Sequence, residues 1–176
     1  MRIKQTIAAN GSLRHLVWHP QHSDTVFVAN ELDNSVSVCH WDAAERVLAV
    51  TSSLPLLPLS CKEQVPAAAA AAADARVTLH RLGMQCAAAA IVTSSDGRYV
   101  FVSVRGLQSG PNCISRFACV RSDSGSSLRF LGTCPSLGSC PRAMVCPATF
   151  PSCHSVPFAK CAPYIANTCP GDAPFE

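Results

Sequence analysis

The sequence is poor in charge, in aromatic residues and in long apolar runs, and these shortages narrow its possible partners. Charged residues make up 14% and aromatic residues 6% of 176 residues, with 14 Lys and Arg against 11 Asp and Glu. So small a positive excess does not favour nucleic acid or an anionic membrane as a partner. The apolar run over 86–92 is far shorter than the roughly 20 residues of a membrane-spanning helix. Residues 1–12 lack the apolar stretch of a secretory signal, so we expect a cytoplasmic protein.

Apolar residues nevertheless make up 48% of the chain, which excludes a chain that is disordered throughout. The 11 cysteines are an odd number and are crowded after residue 112. Without a secretory signal we expect reduced thiols, with a disulfide framework as the alternative. The late cysteines are spaced six to eight residues apart, whereas structural zinc sites use ligand pairs two to four residues apart. No metal site is therefore predicted.

The first part of the chain has the pattern of four short strands joined by tight turns. Apolar and β-branched residues alternate with small polar ones, and Asp, Asn and Pro occupy the turns. His19 and His22 fall in the first turn, where we expect them to be solvated. Four such strands form an up-and-down antiparallel sheet. The predicted strands cover 13–18, 25–29, 35–41 and 46–51.

The same pattern returns later in the chain. The segments 26–28 and 100–102 both read Val-Phe-Val and lie 74 residues apart, as do Glu31 and Arg105. A Pro- and Ala-rich insertion over 55–81 lengthens this interval; without it, the period is close to that of propeller blades. The strands of the second unit are predicted at 86–93, 98–104, 113–120 and 128–133.

These repeats predict an all-β fold, an incomplete β-propeller of four-stranded antiparallel blades. The proline-rich end of the chain argues against a sheet, because proline cannot donate a ladder hydrogen bond. We therefore expect an irregular tail. The predicted boundaries are 11–146 for the partial propeller, about 11–52 and 84–134 for two blades, 139–146 for the start of a third, and 147–176 for the tail.

Four charged residues are predicted to meet at one end of the blades. Arg14 lies at the start of the first strand of its unit, and Arg142 precedes the first strand of the third unit. Glu31 and Arg105 follow the second strands of the first and second units. Arginine matches phosphate or carboxylate through two parallel hydrogen bonds, and a carboxylate can orient or activate water. This group would suit an anionic substrate; the alternative is that these are ordinary solvated turn charges.

Three stretches of sequence resemble the seven-bladed lactonase propellers, the family of bacterial-type 6-phosphogluconolactonases and fungal carboxy-cis,cis-muconate cyclases. They are GSLRHLVWHP at 11–20, VFVANELDNSVSV at 26–38 and SDGRYVFVSVRG at 95–106, with a weaker match at Pro141-Arg142. The resemblance implies hydrolysis of 6-phosphogluconolactone in the pentose phosphate pathway. It places Glu31, Arg14 and Arg105 at catalytic positions, without a metal or organic cofactor.

The predicted substrate-binding residues are Arg14, Arg105, Arg142 and His15, for a phosphorylated sugar lactone. By its place on the strand, His15 points away from Arg14 and favours a packing or capping role. Seven blades need about 300 residues, so we expect a truncated, weakly active or inactive form that self-associates through uncovered blade edges. The alternatives are muconate cyclase activity and a non-catalytic fragment that serves as a binding surface.

Overall fold

The computed structural model describes residues 13–57, 86–106, 110–123, 125–146 and 164–167. All regular structure in these residues is β-strand, as the repeat predicts. No membrane-spanning helix is found in this part of the chain. The predicted insertion over 55–81 lies outside the described residues from residue 58 onward.

The first sheet is a four-stranded antiparallel meander in which each strand pairs with the next along the chain. Its residues alternate between the two faces, and its turns tolerate left-handed backbone at Asn34 (φ 50°) and Arg46 (φ 56°). Asn adopts this conformation more readily than most residues. The strands are β1 (Leu13–Trp18), β2 (Thr25–Asn30), β3 (Ser35–Asp42) and β4 (Val47–Pro55).

The second sheet repeats the meander. Its first strand is rich in alanine. This strand nevertheless pairs with the β-branched second strand on both sides of a β-bulge, and it is almost fully buried. Tertiary packing here overrides the helix preference of alanine. The strands are β5 (Cys86–Thr93), β6 (Tyr99–Gly106), β7 (Cys113–Ser122) and β8 (Gly125–Pro135).

A third sheet begins with β9 (Pro141–Val145), which pairs antiparallel with β10 (Tyr164–Asn167). The strand β10 lies inside the segment 147–176 that the sequence predicts to be irregular. That prediction is therefore corrected for four residues, because β10 supplies the backbone partner that the edge of β9 needs. The rest of the tail lies outside the described residues.

The main hydrophobic core lies between the first two sheets, where the apolar faces of their strands meet. Phe27 and Phe117, one from each sheet, are fully buried in it, and Phe117 packs edge-on against Phe130 at 5.5 Å between ring centroids. The first strands of the successive sheets lie side by side, since β5 contacts both β1 and β9. This is the arrangement of propeller blades around their axis.

One end of the blades, here called the basal end and defined by Asp24, Gly97 and Arg121, is joined by polar contacts between the two sheets. The Arg121 guanidinium donates to both oxygens of Asp24, at 3.2 and 3.1 Å. This hydrogen bonding lowers the pKa of Asp24 to about 2. Arg121 also donates to the hydroxyls of Thr25 and Ser126.

His19 is buried at the basal end, which corrects the expectation that it is solvated; it is only 6% exposed. A Cβ on Gly97 would lie 2.3 Å from the imidazole Cε1 of His19, so only glycine allows the β5–β6 turn to approach the ring this closely. Burial, and secondarily the nearby His22, lowers the pKa of His19. The turn pattern could not reveal this, because the covering residues come from the second sheet.

Candidate functional site

The opposite end of the blades, here called the site end and defined by Arg14, Glu31 and Arg105, begins at a β-bulge in β1. Leu13 pairs with Asn30 and His15 pairs with Ala29, so Arg14 is the extra residue that the register skips. A bulge bends its strand and redirects the side chain. The Arg14 Nη1 donates to the Glu31 Oε2 at 3.4 Å.

Glu31 follows β2 directly and opens the turn into β3. Its carboxylate is shared, because Oε2 accepts from Arg14 and Oε1 accepts from Arg105. The side chain of Glu31 is 19% exposed, that of Arg14 is 29% exposed and that of Arg105 only 8%. Two guanidiniums on one carboxylate leave an excess of one positive charge, which is suited to an anion.

Arg105 joins the two blades at this end. It stands near the end of β6, in the same place in the second blade that Glu31 takes in the first, and the two side chains form an ion pair. The Arg105 Nε is buried and has no hydrogen-bond partner among the described residues. Buried donors of this kind are uncommon and indicate a site that a ligand or an ordered water completes.

The backbone next to Arg105 is fixed by Asn112. The Asn112 Oδ1 accepts from the amides of Gly106 and Cys140, each at 2.8 Å, and thereby connects the end of β6 to the approach to β9. A Cβ on Gly106 would lie 2.2 Å from the carbonyl oxygen of Gly110. The close approach of this loop therefore requires glycine directly after the arginine.

Two predicted site residues are not joined to this group. His15 accepts a hydrogen bond from the amide of Ile91 through Nδ1, at 3.1 Å. It thus satisfies an amide beside the bulge of β5, the capping role that its place on the strand favours. Arg142 is exposed on β9 and forms no ion pair with Glu31. Their assignment to substrate binding stays a prediction.

The described part of the chain contains no clustered metal site, and burial disfavours the thiolate form of four of its cysteines. No group of three or more His, Cys, Asp or Glu residues there is placed to hold a metal ion. Burial raises the pKa of the Cys39 thiol to about 11 and also raises the pKa of Cys119, Cys134 and Cys146. Thiols with raised pKa values are poor nucleophiles and poor metal ligands.

The sequence pattern did not single out Asn34. It follows Glu31 by three residues, and its Nδ2 donates to the Sγ of Cys86 at 3.2 Å, while its Oδ1 is buried and without a partner among the described residues. The Asp-Asn pair marks a turn, but no sequence signal distinguishes an asparagine whose side chain enters the space between two blades.

Comparison with known proteins gives one family and several similar folds. The lactonase, 7-bladed β-propeller family matches residues 4–149. A Lactobacillus plantarum protein is 22% identical with a TM-score of 0.58, over 81% of this chain and 33% of its own. The periplasmic gluconolactonase of Pseudomonas aeruginosa is 22% identical with a TM-score of 0.57, over 78% and 30%.

A candidate 6-phosphogluconolactonase from Bacteroides uniformis is also similar, at 22% identity and a TM-score of 0.54, over 78% of this chain and 31% of its own. No curated protein matches the chain. By these coverages, the chain spans about a third of the length of the three solved structures. At this identity the structural likeness establishes the propeller fold.

Proposed function

Because the chain belongs to the family of seven-bladed β-propeller lactonases, we propose that its site end contributes to the hydrolysis of a sugar lactone. The substrate we propose is 6-phosphogluconolactone, which would place the reaction in the pentose phosphate pathway. The observation that carries the proposal is the Glu31 carboxylate, which is shared by Arg14 and Arg105 from two different blades.

The two arginines have different roles in this proposal. Arg105 is buried and its Nε remains available, so it forms the fixed part of an anion site. Arg14 is more exposed and can contact a ligand that enters from solvent. Partial burial strengthens such contacts, because charges interact more strongly where water is excluded. The net positive charge of the group would attract the phosphate of the lactone or the carboxylate of the product.

The chemical step is the addition of water to the lactone carbonyl. A bond forms between the water oxygen and the carbonyl carbon, and the ring C–O bond then breaks. The ring oxygen leaves as a hydroxyl with one proton of the water, and the carboxylic acid that results releases the other. Each oxygen of Glu31 retains a lone pair beyond its arginine contact, which can orient the water or accept its proton. A guanidinium can stabilise the oxyanion that develops at the carbonyl. The proposal uses no metal or organic cofactor.

The length of the chain limits the activity that we expect from it alone. It spans about a third of the solved structures that it matches, and the described sheets are two blades and part of a third. We therefore propose a weakly active or inactive form. The same observation favours a second candidate, a non-catalytic propeller fragment whose sheet edges bind a partner or another copy of the chain.

The proposal is tested by following acid release from freshly prepared 6-phosphogluconolactone, with and without the purified chain. For a weakly active form we expect a rate above the spontaneous one, which Glu31→Gln abolishes because the neutral amide cannot accept a proton from water and forms no ion pair with the arginines. A rate equal to the spontaneous one would support the non-catalytic fragment. Turnover of a carboxylated muconate, followed by ultraviolet absorbance, would instead support a cyclase.

A matched control separates the site from general charge effects. Arg129 is an exposed arginine on β8, so Arg129→Ala removes the same charge from the chain as Arg105→Ala. We expect Arg129→Ala to retain the rate of the unaltered chain and Arg105→Ala to lose it. Equal losses in both variants would contradict the proposed site.

A further inference from the structure

The turn that carries Glu31 also carries a side chain that the proposed reaction does not yet use. Asn34 has a φ of 50°, in the left-handed region where glycine is the least strained residue. Its carbonyl oxygen accepts from the amide of Leu56 at 3.0 Å, which holds the turn in place. Since glycine would fit this backbone better, the turn itself does not require the carboxamide.

Only the nitrogen of the Asn34 carboxamide has a hydrogen-bond partner among the described residues. Its Nδ2 donates to the Cys86 Sγ at 3.2 Å, and a thiol is a weak acceptor. Its Oδ1 is buried and has no hydrogen-bond partner among the described residues. A buried carbonyl oxygen is normally paired, so this atom indicates a donor from outside the described chain.

The Nε of Arg105 is the complementary atom. Arg105 is 7% exposed, and its Nε is buried without a partner among the described residues. Glu31 and Asn34 lie in one turn and reach Arg105 and Cys86 respectively, while Cys86 is the register partner of Gly106, the residue after Arg105. A buried acceptor and a buried donor, each without a partner among the described residues, therefore lie at the same junction of two blades.

We propose that Asn34 determines specificity for a hydroxylated anion. Its Oδ1 accepts a hydrogen bond from a ligand hydroxyl, while Arg105 and Arg14 bind the anionic group. A sugar acid or its lactone offers both groups. Inorganic phosphate has no hydroxyl apart from the anionic group that the arginines bind, and an unsaturated dicarboxylate such as muconate has none. This inference rests on the proposed function, because it takes the arginines as the anion site.

The test compares the affinities of 6-phosphogluconate and inorganic phosphate, measured by isothermal titration calorimetry. Asn34→Gly removes the carboxamide and relieves the backbone, so it should fold at least as well. We expect the Kd of 6-phosphogluconate to rise about tenfold, the contribution of one hydrogen bond, and that of phosphate to change less than about twofold. Asn34→Asp, which keeps an acceptor and tolerates this φ, should retain the preference for 6-phosphogluconate over phosphate.

The matched control is Arg46→Gly. Arg46 has a φ of 56° in an exposed turn at the other end of the same sheet, so glycine there relieves the same strain and should change neither Kd. If Asn34→Gly weakens both ligands equally, or neither, Asn34 has only a structural role and this inference fails by itself. If the unaltered chain does not bind phosphate, or binds it independently of Arg105, the proposed anion site fails and this inference fails with it.

Discussion

At the basal end, Arg121 donates to both oxygens of Asp24 and to two hydroxyls, whereas at the site end two arginines share the single carboxylate of Glu31. Both ends join the same two sheets through arginine and a carboxylate. At the basal end the guanidinium of Arg121 is matched by the one carboxylate of Asp24. At the site end a positive charge is left over, and the Nε of Arg105 has no partner among the described residues.

Under the proposed function, this difference separates a structural contact at the basal end from a binding site at the site end. A polar group that is fully paired within the chain gains little from a ligand, whereas a buried unpaired donor gains a hydrogen bond without first losing one. The site end also holds the bulge at Arg14, and bulges commonly redirect side chains beside active sites. The two ends should therefore respond in opposite ways to substitution.

The largest expected effect compares the two arginines directly. Arg105→Ala should weaken the binding of 6-phosphogluconate about a hundredfold, because it removes the buried charge that we propose to contact the anion. Arg121→Ala should leave that affinity within about twofold and lower the stability instead. Calorimetric titration gives the affinities and urea unfolding gives the stabilities. A similar loss of affinity in both variants would show that the two ends do not differ in function.

A second prediction concerns the packing of the basal end. Gly97→Ala should lower the free energy of unfolding by about 2–4 kcal/mol, because the added Cβ meets the His19 ring and the φ of 71° disfavours a side chain. Urea unfolding at neutral pH measures the change.

His19→Ala provides the control for this prediction. It removes the ring that the added Cβ would meet and leaves the φ of 71° at Gly97 as the cost of the substitution. Gly97→Ala should therefore cost clearly less stability in a His19→Ala background than in the unaltered chain. Equal losses in the two backgrounds would mean that the close approach of His19 to the turn contributes nothing.

Much of the fold could be predicted, because strand periodicity and turn residues are local signals. The paired Val-Phe-Val segments at 26–28 and 100–102 fall on the second strands of the two sheets. Glu31 and Arg105 are separated by the same 74 residues as the two Val-Phe-Val segments, which predicted that they lie at the same end of their blades. The structure brings the two side chains into contact. This prediction was possible because equivalent strands of two meanders run in the same direction, so the residues that follow them lie at the same end.

The details that decide the site could not be read from the sequence. The bulge that redirects Arg14 depends on the register of β1 against β2, which a pattern of period two does not fix. The burial of His19 and the entry of Asn34 between the blades depend on residues of the other sheet. The strand β10 was missed because it is four residues long and pairs with a strand that is distant in the sequence, β9.

A smaller effect is expected from the pH dependence of the basal ion pair. The pKa of Asp24 falls from 3.8 to about 2 on folding, chiefly through the hydrogen bond from Arg121. The pair therefore stabilises the fold above about pH 4, and this stabilisation is lost as the pH falls towards 2. Because the pair is partly exposed, Asp24→Asn should cost about 0.5–1 kcal/mol at neutral pH.

The measurement is the free energy of unfolding of the unaltered chain and of Asp24→Asn between pH 2 and 7. The two curves should be separated above pH 4 and should converge below it. Glu45→Gln removes another carboxylate in an exposed turn and serves as the control, which should show no such convergence. Parallel curves for Asp24→Asn over the whole range would contradict the assignment.

The smallest effect expected is that of His19, which titrates in a different window. Burial, with a further contribution from His22, lowers the pKa of His19 below 6.5 on folding. The neutral ring therefore stabilises the fold fully above about pH 6.5, and stability declines as the pH falls below that value. His19→Gln should remove this part of the decline between pH 8 and 5, whereas His22→Gln, which leaves His19 buried, should retain most of it. Because Asp24 stays ionised throughout this window, a slope that His19→Gln leaves unchanged would show that the buried ring does not couple the basal end to pH.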